Sequence, residues 1–165
     1  PFWPEYKGRD GCRTPLVWEQ RNGGGFMADA STMEGSAVDR STIESWLPID
    51  EGQLPLSVSN QQSRSDSTLA AVRQWINWRQ QQPALIGGDI EILKGTGEML
   101  CWLRRCDEQQ LLVALNMTGQ TLRTPLTTEL KASISAVLDG HGFQGRIDDD
   151  EIVLEPYQAL FAELV

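Results

Sequence analysis

The sequence predicts a mainly β fold: an antiparallel β-sandwich preceded by a long irregular loop and one amphipathic helix. Three observations carry this. Short runs rich in β-branched and apolar residues recur from Gly87 to Val165, broken by Gly, Asp and Asn. Ahead of them, one stretch between Asp66 and Gln82 has helical apolar spacing. Before that, Pro1 to Arg64 shows neither a helical nor a strand period.

The elements follow in order. In the opening segment Gly, Pro, Ser and Asn recur, and apolar residues come in short clusters such as "SWLPI", Ser45 to Ile49. A structureless stretch this long is either a functional loop or disorder, and its tryptophans favour the loop. Ser65 or Asp66 is placed to cap the helix. Leu69, Val72, Ile76 and Arg79 lie along it, Trp75 and Trp78 widen the apolar stripe, and Pro83 stops it. The strands are read in "DIEIL", "EMLCWLR", "QLLVALNM" and "EIVLE". "CDEQQ" and "NMTGQT" are read as hairpin turns, and the closing "IVLEPYQALFAELV" as strand, Pro-Tyr turn and strand. Strands of this length and spacing make a small sandwich.

Composition narrows the function. A net charge of −9 with no local run of Lys or Arg argues against nucleic acid and anionic membranes, both of which need a positive face. No apolar stretch is long enough to span a bilayer and no signal peptide opens the chain. Cys12, Cys101 and Cys106 form no CxxC pair and read as free thiols, as in a reducing, cytoplasmic setting. With His141 the only histidine, a multi-histidine metal site is excluded, and no cofactor is expected. The start at Pro1 rather than Met leads us to expect part of a longer protein.

Few constellations point to chemistry. "DDDE", Asp148 to Glu151, lacks the alternating ligands and glycine of a calcium loop and reads as a solvated hairpin tip. "NGGGF", Asn22 to Phe26, has no strand before it and no helix after it, so it reads as a loop rather than a phosphate cradle. No two carboxylates stand in a recognisable acid–base frame. What remains is "KGRDGCRTPLVW", Lys7 to Trp18, with Arg9, Asp10 and Arg13 gathered in a loop of an otherwise acidic chain. These charges either bind a sugar or an acid, or only brace the turn.

The same residues carry a resemblance. Arg9, Asp10, Arg13, Thr14, Pro15 and Trp18 resemble the Arg-Asp-x-x-Arg-Thr-Pro-x-x-Trp segment of bacterial α-glucosidases and oligo-1,6-glucosidases of the α-amylase family. The likeness continues at Gly25-Phe26, at "SWLPI", along the helix at Asp66, Ser67, Leu69, Arg73, Arg79, Pro83, Ala84, Leu85 and Gly88, and through "QLLVALNM" to the final Pro-Tyr-x-Ala-Leu. It departs at "LPLSVSNQQ" and at "GFM", where Gly-Phe-Ser is common.

The resemblance implies that residues 1–86 are the loop and last helix of a catalytic (β/α)₈ barrel, and that residues 87–165 are the C-terminal β-sandwich domain. Loops after barrel strands line the catalytic face, which accounts for charge in an irregular segment. It implies a parent glycoside hydrolase that cleaves α-glucosidic bonds of short oligosaccharides by a retaining mechanism. The family's nucleophile, acid/base and assisting aspartate all lie upstream of the matching segment, so none maps onto this chain. The chain as given is therefore expected to be inactive, its partners being the missing barrel and a small α-gluco-oligosaccharide. Arg13 is expected to bind substrate, Arg9 and Asp10 to hold the loop, and Trp18 to anchor its far end by burial. The alternative is a stand-alone sandwich module with a binding or scaffolding role.

Overall fold

The computed structural model describes residues 9, 13–25, 47–94 and 96–165. The chain divides into two compact units, Pro1–Ala71 and Val72–Val165. The expectations for Asp10 and Cys12 lie outside the described residues.

In the first unit the described residues form two 3₁₀ turns, at Asn22–Gly25 and Glu51–Leu56, and a short helix α1, Val58–Gln62. Helix α2, Thr68–Arg79, begins in this unit. Its start differs from expectation. Ser67, rather than Ser65 or Asp66, caps it: the Ser67 hydroxyl accepts the Ala70 N–H at 3.1 Å and donates to the Gln61 carbonyl at 2.7 Å. Gln61 Oε1 accepts the Leu69 N–H at 3.1 Å, so a second orphan donor of the first turn is also satisfied. Asp66 instead pairs with Arg64 at 2.9 Å.

The second unit is the expected antiparallel sandwich. After α2 comes a helix that the sequence reading did not anticipate, α3, Pro83–Gly87. Pro83, read only as a stop, opens this new turn, because proline's missing N–H costs nothing at a helix start. Then come β1 (Asp89–Ile92), β2 (Leu100–Arg105), β3 (Gln110–Leu115), β4 (Leu122–Pro125), α4 (Thr128–Ser133), β5 (Ile134–Val137), β6 (Arg146–Asp148), β7 (Glu151–Leu154) and β8 (Ala159–Leu164). A five-stranded sheet runs β1-β2-β3-β8-β5 and a three-stranded sheet runs β4-β7-β6.

Side-chain alternation sorts the two faces of the larger sheet. Cys101, Leu103, Leu112, Ala114, Leu160 and Ala162 point inward and pack against Ile152 and Leu154 of the smaller sheet. Leu111, Val113, Ala159 and Phe161 point to the other face, where Trp78 and Ala84 cover them. With both faces covered, β3 reads as an unbroken apolar run, "LLVAL". The tryptophan side of α2, rather than the Leu69–Val72–Ile76 side, is therefore its core face. Val72 and Ile76 each stay 46% exposed, whereas Trp75 stacks on Trp78 at 5.3 Å and the two lie 5.2 and 4.9 Å from Phe161.

The turns divide between expected and unexpected. "CDEQQ" joins β2 to β3 as a hairpin, with Arg105 opposite Gln110. The acidic tip joins β6 to β7, and Asp149 and Asp150 take φ values of 46° and 67°, the left-handed pair of a tight hairpin turn. Asp150 also forms an ion pair with Lys131 of α4. "NMTGQT" is not a hairpin: β3 and β4 belong to different sheets, so this segment crosses between them. Asn116 at its head explains why. Buried to 1% exposure, it donates to the carbonyls of Gln120, Glu155 and Leu154 at 2.6, 2.9 and 3.1 Å and accepts the Thr118 N–H and hydroxyl at 2.8 Å each. One side chain thus supplies the partners that a strand pairing would otherwise provide.

Candidate functional site

The charged loop of the first unit is built from a glycine turn and a helix start. Trp18 and Glu19 both donate their N–H groups to the Gly24 carbonyl, at 2.7 and 3.1 Å, and Gly24 donates back to Arg21 at 2.9 Å. Arg21 also pairs with Glu19 at 2.6 Å. This closure needs glycine: Gly25 has φ of 80°, and a Cβ there would meet Glu19 Cβ at 2.9 Å. Asn22–Gly25 is thus a structural turn, folded onto Glu19 rather than open for a phosphate.

The turn is fixed to α1 by its backbone. Val58 and Ser59 donate to the carbonyls of Val17 and Trp18 at 3.0 and 2.9 Å, so the loop satisfies the first orphan donors of the helix. Fully buried Ser57 caps the next one, its hydroxyl accepting the Asn60 N–H at 3.4 Å. Asn60 Nδ2 then reaches Gln20 Oε1 at 2.5 Å. Pattern reading missed Ser57 and Asn60; the only signal was a serine three residues ahead of an asparagine in a segment without apolar period.

Arg9 and Arg13 are both exposed. Arg13 has no hydrogen-bond or ion-pair partner among the described residues, so its planar set of N–H donors is available to hydroxyl or carboxylate oxygens. Thr14 is exposed and Pro15 half-buried. The expected anchor differs. Trp18 keeps 50% of its surface exposed, and its neighbour Val17 is the buried residue, at 5%. Leu16 and Trp18, on either side of Val17, both stay exposed.

Of three cavities lined by described residues, one has a carboxylate in its lining. The cavity in the first unit, about 160 Å³, is lined by Arg64, Asp66 and Ser67 among others. The hydrogen bond and charge of Arg64 hold the Asp66 carboxyl below its ordinary range, so Asp66 is a poor proton donor. The two cavities in the second unit, about 610 and 260 Å³, are apolar grooves along β1 and β2 with no acidic lining.

A probable α-glucosidase of Rhizobium meliloti is 36% identical to this chain over 163 residues, which is 99% of the chain and 26% of that relative. The relatives over the whole chain are α-glucosidases and oligo-1,6-glucosidases of the α-amylase family. An oligo-1,6-glucosidase of Bacillus cereus is 24% identical over 161 residues, 96% of the chain and 26% of its own length. Among solved structures, an α-glucosyl transfer enzyme, XgtA, is similar over 99% of this chain and 28% of its own, with TM-score 0.79 and 28% identity. The isomaltulose synthase of Klebsiella sp. LX3 shares the fold over 95% of this chain and 26% of its own, with TM-score 0.69 and 22% identity. No protein-family model matches the chain. The chain spans about a quarter of the length of the curated relatives it matches, and corresponds to a C-terminal stretch of them. None of its described helices is long and apolar enough to cross a membrane.

Proposed function

We propose that this chain is the C-terminal part of a retaining α-glucosidase-like enzyme acting on short α-gluco-oligosaccharides. In this reading residues 1–86 supply the last loop and helix of the catalytic barrel, and residues 87–165 are the C-terminal sandwich domain. The observation that carries it is the exposed Arg13 guanidinium, unpaired among the described residues, on a loop whose far half is fixed to α1 through Val17 and Trp18. A held loop with an available planar donor suits sugar hydroxyls. Arg9 and Asp10 brace the loop beside it. The missing barrel is the other partner: Ile90, Ile92 and Leu100 lie on one face of the sheet edge, 56%, 64% and 54% exposed, an apolar strip that calls for cover.

The chain by itself does not hydrolyse glucosides in this reading. A retaining mechanism needs two carboxylates about 5–5.5 Å apart, and the family resemblance places both of them upstream of the segment that this chain matches. Turnover of an aryl α-glucoside by the pure chain would overturn this. In the longer parent, Arg13→Lys keeps the charge and loses the planar fork. Loss of charge-assisted hydrogen bonds worth about 1.5–3 kcal/mol lowers kcat/KM roughly 10- to 150-fold. Unchanged kinetics, or a loss that tracks unfolding, returns the loop to a purely structural role.

A further inference from the structure

His141, the chain's only histidine, lies in the second unit with 4% of its surface exposed. Its ring stands edge-on to Trp78 at 4.8 Å and 81°, with Phe161 and Phe143 at 4.9 and 5.8 Å. Nε2 lies 2.9 Å from the Leu138 carbonyl oxygen. A carbonyl only accepts, so the ring proton sits on Nε2 and is donated to it. Nδ1 therefore keeps its lone pair, and it accepts the Phe143 N–H at 3.0 Å. The neutral ring satisfies both contacts. A second proton enters only at Nδ1, where it faces another donor, so the imidazolium cannot keep this pose.

The loop around His141 is fastened to two elements. Leu138 and Gly145 pair with β8, the former donating to Phe161 at 2.8 Å and the latter to Ala159 at 3.0 Å. Between them Gln74 of α2 donates to the Gly140 carbonyl at 2.9 Å. The side chains that face the ring from α2, β8 and its own loop are Trp78, Phe161 and Phe143, none of which titrates. Asp139, two residues away, is the charge that bears on it and favours the cation, but burial outweighs it and the ring holds its proton less tightly than an ordinary histidine.

We propose that His141 is an acid-released latch: neutral, it clamps the 138–145 loop over Trp78 and ties α2 to the sandwich, and protonation frees the loop and uncovers the tryptophan face of the helix. The sign follows from linkage. The unfolded or opened state binds the proton more tightly, so the clamp is at full strength above pH 6.5, the ordinary histidine value, and is lost as pH falls below it. The inter-sheet core, which contains no histidine, stays packed.

A single histidine makes the test direct, because its ring nitrogens need no assignment by mutagenesis. The 165-residue chain is followed by ¹⁵N NMR from about pH 7.5 to about pH 4.5, together with amide exchange and tryptophan fluorescence. The expected result is an Nε2–H tautomer at neutral pH and a ring midpoint below 6.5. Protection of the Phe143 amide, corrected for intrinsic exchange, then falls about tenfold per pH unit between 6.5 and that midpoint. His141→Phe is expected to abolish the acid step in fluorescence; should that variant not fold, the wild-type titration decides alone. An Nδ1–H tautomer, a midpoint at or above 6.5, or Phe143 protection that persists after the ring has titrated each overturns the latch.

Discussion

Asn116→Asp changes one atom of a buried side chain and tests how the sandwich is tied between its sheets. In the native chain the amide nitrogen of Asn116 serves the carbonyls of Gln120, Glu155 and Leu154, all within 3.1 Å. Aspartate replaces that donor with an oxygen that faces the same three oxygens. The Oδ1 contacts to Thr118 survive, so the perturbation falls on one side of the group. Two donated bonds are lost at roughly 1–3 kcal/mol each, and burying the new charge adds to this, giving a destabilisation of about 4 kcal/mol at neutral pH. In a domain of this size that lowers Tm by on the order of 15–30 °C.

The sign with pH is distinctive. The carboxyl introduced by this substitution would be buried and would hold its proton more tightly in the folded state. The penalty therefore shrinks on acidification, as the carboxyl O–H restores one donor. Urea denaturation followed by near-ultraviolet circular dichroism at neutral and mildly acidic pH measures both. A loss under about 1 kcal/mol with an unchanged m-value would refute the reasoning, because the three carbonyls would then have found other partners.

Trp78→Ala is expected to cost about 3–5 kcal/mol and to expose Phe161 to solvent, read by denaturation and dye binding. Ser67→Ala removes the cap of α2 and should cost about 1 kcal/mol, with the loss of Ala70 amide protection as its local signature. Burial pushes the Cys101 thiol up to about 11, so only about one molecule in a thousand carries the thiolate at pH 8. Labelling at Cys101 should therefore await unfolding, and fast labelling of native protein would contradict its placement.

The sandwich was legible because its strands are short apolar runs bounded by Gly, Asp and Asn, and such runs are a local property. The two-residue repeat puts Leu112 and Ala114 of "QLLVALNM" on one face and Leu111 and Val113 on the other. The acidic hairpin tip and the "CDEQQ" turn were legible for the same reason, since each joins strands adjacent in sequence. The charged loop was legible only through its motif: Arg9 and Arg13 lie in no periodic pattern, and their neighbour Asp10 lies outside the described residues.

What tertiary structure alone decided are the contacts between segments far apart in sequence. "NMTGQT" has the composition of a hairpin turn, but Asn116 meets Leu154 and Glu155 nearly forty residues on, and that meeting sends the chain into the other sheet. The core face of α2 was undecided among its apolar positions until Phe161 and His141 offered an aromatic box that only Trp75 and Trp78 fill. Val17 rather than Trp18 is the loop's buried residue, in a segment whose carbonyls meet the start of α1 some forty residues on. Local periodicity therefore set which elements form, through the side-chain repeat of each backbone. Which faces meet was set by long-range hydrogen-bond satisfaction and packing, which no window of sequence contains.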